Sequence, residues 1–331
     1  MLIRLNLSTW NIEFVAALFI VGLLVLLAGG HFLVHGSSRI ARILGIHPIV
    51  VGLTIVALGT SMPEFVVSLL AALKNKTDVA LGNVVGSNIS NMALILGLAA
   101  TVRPIIIKRR ILKFEMPLVL GVSLLFWLLC SNGYLSRIDG MILTFGFFVY
   151  LFVVLKNSRQ KTPTMNGDFF EKRSLRSHLF VYAFYILIGI GGLTLGAAWI
   201  VDSASEFSFR YGVPELILGL TIVAIGTSLP ELATSLVAAV RNEGDLSIGN
   251  ILGSNIFNML AIAGPTATIH PLAVTPELVT IHLPIMTALT LLLFPLLRTG
   301  FNLSRLEGFF LLLCYVGIFF VWAFYGKEVV N

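Results

Sequence analysis

Charge is scarce in this chain. Asp, Glu, Lys and Arg make up 11% of its 331 residues, against about 25% in a soluble domain, and the deficit excludes an ordinary water-exposed globule. Cysteine is nearly absent: Cys130 and Cys314 both lie in apolar stretches, which excludes a disulfide framework and a thiolate metal site. The six histidines are scattered at 31, 35, 47, 178, 270 and 282, and no HExxH stretch occurs, so zinc chemistry of the hydrolase type has no ligands. What the chain has in excess is apolar surface, with 57% hydrophobic residues and a mean hydropathy of +0.96.

A helix needs about 20 apolar residues to cross a bilayer. Ten such runs are present, at 12–34, 46–73, 79–101, 115–131, 138–155, 178–201, 213–240, 246–267, 278–297 and 306–325. They predict an all-α polytopic membrane protein with ten transmembrane helices. The first run lacks a basic leader and a small-residue cleavage site, and is expected to stay as a helix. The net charge of +6 is no sign of nucleic acid, because the cations are sorted by side. With the N-terminus outside, 16 of the 22 Lys and Arg residues fall in inner loops. The positive-inside rule then puts both termini outside and residues 157–177 in the cytosol.

The chain is written twice. Residues 52–97 align with 219–264 without a gap, and 27 of the 46 positions are identical. The shared residues include Gly, Pro, Glu, Ser and Asn in fixed register, which chance does not supply. Each copy covers the second and third helices of a five-helix half. The expected organisation is a first half over 1–156, a cytosolic linker over 157–177 and a second half over 178–331. Five is odd, so the halves enter the membrane with opposite polarity, and such inverted repeats place a transport site at their interface.

Within the repeats, "GTSMPE" (59–64) and "GTSLPE" (226–231) put Glu64 and Glu231 near mid-depth. An ionised carboxylate there costs about 2.5–3.5 kcal/mol even on a lenient scale, and no Lys or Arg lies at that depth to pair with it. Pro63 and Pro230 kink their helices and deny a hydrogen bond to the preceding turn, so carbonyls around Ala57–Thr60 are expected to be freed. Ala57, Thr60, Ser61, Glu64 and Ser68 share one helix side, as do Ala224, Thr227, Ser228, Glu231 and Ser235. The next helices carry Asn83, Ser87 and Asn91, matched by Asn250, Ser254 and Asn258, with Gly82, Gly86, Gly249 and Gly253 for close packing. These are hard oxygen donors. They suit Ca²⁺, in part Na⁺, and not Zn²⁺ or Cu⁺. Two glutamates balance one Ca²⁺, several Na⁺ or protons. A cation channel and an intramembrane hydrolase using the two carboxylates as an acid–base pair are the readings from other classes. Asp202, Glu206 and Glu215 read as a solvated outer loop, and Glu115 as interfacial.

These motifs, with "GNVVGSNISN" (82–91) and "GNILGSNIFN" (249–258), closely resemble the two α-repeats of the cation/calcium exchanger superfamily, in its Na⁺/Ca²⁺ exchanger branch of prokaryotic type. The resemblance implies secondary active antiport of Na⁺ against Ca²⁺ by alternating access, with no enzymatic activity and no cofactor. H⁺/Ca²⁺ or K⁺-dependent exchange is the alternative. It implies a Ca²⁺ site at Glu64, Glu231 and the carbonyls of Thr60 and Thr227. Na⁺ sites would use Ala57, Ser61 and Ser87, and Ala224, Ser228 and Ser254, together with both glutamates. Asn91, Asn258, Asn83 and Asn250 would line the centre. Some prokaryotic members have an aspartate at position 258, so a third acid is missing here. The H⁺ branch carries a further glutamate where both copies read "GSN", and its absence implies Na⁺. The first and sixth helices, rich in glycine (Gly22, Gly29, Gly30; Gly189, Gly191, Gly192, Gly196), would form a sliding gate. The expected setting is the inner or plasma membrane of a prokaryote, with the bilayer and the two ions as partners, no nucleic acid, and a functional monomer.

Overall fold

The computed structural model describes residues 11–44, 48–75, 77–156, 172–210 and 224–328. Its helical elements in chain order are α1 (Ile12–Leu44), α2 in two pieces (Ile49–Thr60 and Met62–Leu73), α3 (Thr77–Val102), α4 (Ile111–Cys130) and α5 (Arg137–Lys156). Then come α6 (Lys172–Arg210), α7 in two pieces (Ala224–Thr227 and Leu229–Val240), α8 (Gly244–Ile269), α9 (Leu278–Phe301) and α10 (Arg305–Glu328). Among the described residues seven helices are long and apolar enough to cross a membrane, or eight if the bent pair of α2 is one span. Most of the linker expected at 157–177, and the start of the run expected at 213–240, lie outside the described residues.

Which helices are interior follows from their composition. α3 and α8 carry the Asn–Ser stripes and are the least apolar spans, and 78% and 94% of an 18-residue apolar stretch of each is buried. In α1, α5 and α6 such stretches are more hydrophobic and only 22% buried, and side chains such as Phe145, Phe148 and Phe152 turn outward. Polar stripes go to the centre, where side chains can satisfy them, because lipid offers no hydrogen bonds. Two short antiparallel bridges tie distant loops together. Ile105–Ile106 pairs with Asn302–Leu303, and Tyr134–Leu135 pairs with Leu272–Ala273. Two-residue strands leave no period to read, and the sequence does not announce them.

α1 extends well past the expected 34, and the reason is packing. Gly22 lies against Gly196, Gly29 against Gly189 and Leu193, and Gly36 against Tyr182. Each step of seven up α1 is a step of seven down α6, so the two helices run antiparallel along one seam. A Cβ added at Gly29 would stand 2.6 Å from the Leu193 nitrogen, and one at Gly189 would stand 2.6 Å from the Leu33 nitrogen. Backbones touch, as small-residue stripes permit in membranes. Gly30 instead approaches Ala233 of α7, and Gly191 meets nothing within 4 Å among the described residues.

One expectation about acids needs correction. Asp202 and Glu206 belong to α6 and are half-buried rather than loop residues, because the helix continues past its apolar stretch; Glu215 lies outside the described residues. Glu115, at the start of α4, is buried against protein, and Arg110 Nε donates to its Oε1 at 2.9 Å. The seam yields a prediction. Gly29→Val should destabilise the protein by more than the about 1–3 kcal/mol of ordinary overpacking, because backbone blocks the new side chain. Thermal unfolding in detergent measures it, with Gly191→Ala as a control expected to be near neutral.

Candidate functional site

The site begins with two breaks. Ser61 has φ −85° and ψ 6°, and Ser228 has φ −90° and ψ 4°, the sparsely populated bridge region of backbone space. Pro63 and Pro230 follow two residues later, at the start of the second helical pieces, and the pieces of α2 meet at 47°. The serine turn thus does the bending and the proline begins the new helix, where its missing N–H costs nothing. One consequence departs from expectation. The carbonyl of Ala57 is not freed, because it accepts the Ser61 N–H at 2.9 Å as the last bond of the first piece.

Each break aims a serine at the opposite carboxylate. Ser61 Oγ donates to Glu231 Oε1 at 2.8 Å and lies 3.1 Å from Ser254 Oγ. Ser228 Oγ donates to Glu64 Oε1 at 3.2 Å and lies 3.2 Å from Ser87 Oγ. Ser254 Oγ adds a longer bond to Glu231 Oε1 at 3.4 Å. Glu64 and Glu231 are each 1% exposed. Each has one oxygen, Oε2, with no hydrogen-bond partner among the described residues. An ionised oxygen buried without a donor is costly, and no cationic side chain reaches it among the described residues.

Asn83 and Asn250 act as braces. Asn83 Nδ2 donates to the Glu64 carbonyl at 3.1 Å and to Ser68 Oγ at 2.9 Å, and its Oδ1 accepts from Thr227 Oγ1 at 3.3 Å. Asn250 repeats this with the Glu231 carbonyl at 3.5 Å, Ser235 Oγ at 3.0 Å and Thr60 Oγ1 at 3.3 Å. Thr60 therefore meets α8, and Thr227 meets α3. Asn91 and Asn258 sit one layer away. Asn91 Nδ2 donates to Asn255 Oδ1 and Asn258 Nδ2 to Asn88 Oδ1, both at 3.0 Å, and Asn91 Oδ1 and Asn258 Oδ1 have no partner among the described residues. Both asparagines lie in π-helical turns, Ser90–Ile95 and Phe257–Ile262, of the kind that cluster at functional sites.

The structure thus brings together Glu64, Glu231, Ser61, Ser228, Ser87, Ser254, Asn83, Asn250, Thr60 and Thr227, with Asn91 and Asn258 beside them. Ala57 is buried against Gly253 of α8, where an added Cβ would stand 2.9 Å from the Ala57 side chain. Ala224 opens the described part of α7, and its side chain lies outside the described set. Gly249 and Gly253 make the close approach expected of them, to Ile49 and Leu53 of α2. Gly82 and Gly86 meet nothing within 4 Å among the described residues, and the matching stretch 219–223 is not described. Sequence reasoning passed over Asn88 and Asn255, although both copies share them, because they fall off the i, i+4 stripe. It also passed over Tyr150, whose hydroxyl donates to the Leu53 carbonyl at 2.8 Å inside the π turn Gly52–Val56. Neither leaves a periodic signal.

The four unpartnered oxygens are hard acceptors. With two acidic groups, amides and hydroxyls around them, they fit a hard cation rather than a soft one. No cluster of three or more His, Cys, Asp or Glu occurs among the described residues, so nothing here resembles a zinc-type centre. The family model for "Sodium/calcium exchanger protein" matches residues 14–156 and again 181–325. The chain belongs to that family. It is 30% identical over 344 residues to the sodium/calcium exchanger MaX1 of Methanosarcina acetivorans, covering 93% of this chain and 98% of that one. It is 39% identical over 264 residues to the inner membrane protein YrbG of Escherichia coli, covering 78% and 81%. Among solved structures, the sodium-calcium exchanger NCX_Mj superposes with a TM-score of 0.81 at 30% identity, covering 92% of this chain and 97% of that one. Membership makes the chain an ion transporter of polytopic all-α fold, not an enzyme; its ions are cargo, and no cofactor is involved.

The braces can be tested against each other. Asn83→Leu and Asn250→Leu each remove hydrogen bonds to a glutamate carbonyl and to two hydroxyls, and each should lower stability by about 1–3 kcal/mol. Unfolding curves of the two variants should move together. A variant that unfolds like the wild type removes the bracing role from that copy.

Proposed function

We propose that this cation/Ca²⁺ antiporter exchanges Na⁺ for Ca²⁺ by alternating access, with Glu64 and Glu231 holding the cargo between them. The observation that carries the reading is the pair of buried carboxylates, each donated to by the other copy's serine and each keeping one oxygen open. In the Ca²⁺-loaded form the two charges neutralise one ion, and the carbonyls of Thr60 and Thr227 complete its shell. In the Na⁺-loaded form the ions take flanking positions that follow the hydrogen bonds rather than the expected grouping of the serines: Ala57, Ser61, Ser254 and Glu231 on one side and Ala224, Ser228, Ser87 and Glu64 on the other. A serine hydroxyl that donates to a carboxylate presents its lone pairs to a cation once it turns away, so the same groups serve both loads. Asn91 and Asn258 keep the centre polar without a third charge.

The proposed architecture is ten transmembrane helices in two inverted five-helix halves, 1–156 and 178–331, joined by 157–177. Its support is the gapless repeat of 52–97 in 219–264 and the double match of the family model. The sorting of cations supports both termini outside and the linker in the cytosol, and prokaryotic relatives support an inner or plasma membrane. One chain contains both halves of the cage, so a monomer suffices. Na⁺ is favoured over H⁺ because both copies read Gly–Ser–Asn, at Gly86–Asn88 and Gly253–Asn255, where the proton-coupled branch carries a further glutamate.

In proteoliposomes loaded with Na⁺, Ca²⁺ uptake should follow the outward Na⁺ gradient, and Glu64→Gln or Glu231→Gln should reduce it to the level of empty vesicles. Equal uptake driven by a proton gradient without Na⁺ would overturn the choice of counter-ion.

A further inference from the structure

We propose that a cleft between α4 and α9 binds an anionic phospholipid, with its phosphate on Arg109, Lys113 and Arg298 and its acyl chain along Leu112, Phe294 and Phe301. The cleft holds about 590 Å³, within the range of small-molecule sites. It lies apart from the carboxylate cage and does not draw on the ion reading. The observation that singles it out is how the basic stretch is used. Lys108 is paired with Asp245, and Arg110 with Glu115. Arg109 and Lys113, between and beyond them, line the cleft instead and meet Arg298 from α9. None of these three is ion-paired among the described residues. The Arg109 guanidinium lies over the Phe301 ring, 5.5 Å from its centroid, which holds one cation at the lip. The frame is rigid: Ile105–Ile106 pairs with Asn302–Leu303, and the Ile107 N–H donates to the Phe301 carbonyl at 2.8 Å.

The wall decides which anion fits. A free phosphate would find the three cations but gain nothing from Leu112, Phe294 and Phe301. A lipid gains from both, and basic pockets between membrane helices are sites for acidic headgroups. A neutral choline or ethanolamine headgroup would set its own cation against the three already there.

The full chain in detergent is titrated with phosphatidylglycerol, phosphatidylcholine or inorganic phosphate and read by native mass spectrometry. Phosphatidylglycerol should be retained and phosphatidylcholine lost. The variant R109A/K113A/R298A should bind phosphatidylglycerol roughly a hundredfold more weakly, at about fivefold per charge near a membrane surface. The charge-matched K74A/R137A/R305A, altered at exposed cations elsewhere, should bind like the wild type, and R109K/R298K should keep most of the affinity. The proposal falls if the first triple variant retains the lipid, if the control loses it equally, or if inorganic phosphate alone displaces it at matched concentration.

Discussion

The structure depends on the crossed hydrogen bonds between Ser61 and Glu231 and between Ser228 and Glu64. Taking a carboxylate out of water costs several kcal/mol, and two of them are taken out side by side. A lysine partner would relieve that cost and close the site. The chain uses serine instead, which donates one proton to one oxygen and leaves the second oxygen open. Because the shorter serine bond to each carboxylate comes from the other copy of the repeat, neither carboxylate is fully supported until both halves have packed. The duplication is therefore a structural requirement as well as a record of origin.

Irregular backbone is the means by which oxygen is brought to this depth, and it has to be satisfied in turn. The π turn Gly52–Val56 exposes the Leu53 carbonyl, and Tyr150 of α5 accepts the task with its hydroxyl. The repeat does not copy this support, since Arg137–Gly140 of α5 matches Arg305–Gly308 of α10 and the residue in the place of Tyr150 is Ile318. A second asymmetry lies at the first residues of the paired π turns. Ser90 shares a hydrogen bond with Tyr315 of α10 at 3.2 Å, whereas its counterpart Phe257 packs edge-on against Phe147 of α5, with centroids 4.8 Å apart. The cage is held to near two-fold equivalence while its outer supports diverge. Buried polar groups that must meet one another constrain position at the centre, and any filling of adequate shape serves at the rim.

This difference explains what could be read from the residues alone. Glu64, Glu231 and the Asn–Ser stripes were legible because each violates the rules for its surroundings: charge in lipid, amides in an apolar helix, proline in a span. The spans were legible from length and hydropathy. The end of α1 was not, because its extension follows from Gly36 meeting Tyr182 across the seam, a relation between distant segments. Asn88 and Asn255 were visible in both copies but lay off the stripe. Their role rests on the facing asparagines, which a single helix does not display.

The glycine seam sets a condition on how access to the cage can alternate. Along it the backbones of α1 and α6 are in contact at Gly22, Gly29, Gly189 and Gly196. Sliding one helix past the other would drive Leu26, Leu33 and Leu193 into positions that admit no Cβ. Where the pair meets the cage helices the contacts are of another kind. Gly59 faces only the flexible end of Ile190, and Gly30 faces the Ala233 backbone at an ordinary van der Waals distance. Densely packed interiors transmit strain, and the backbone contacts along this seam oppose sliding of α1 past α6, so a displacement of α1 over the cage is expected to carry α6 with it.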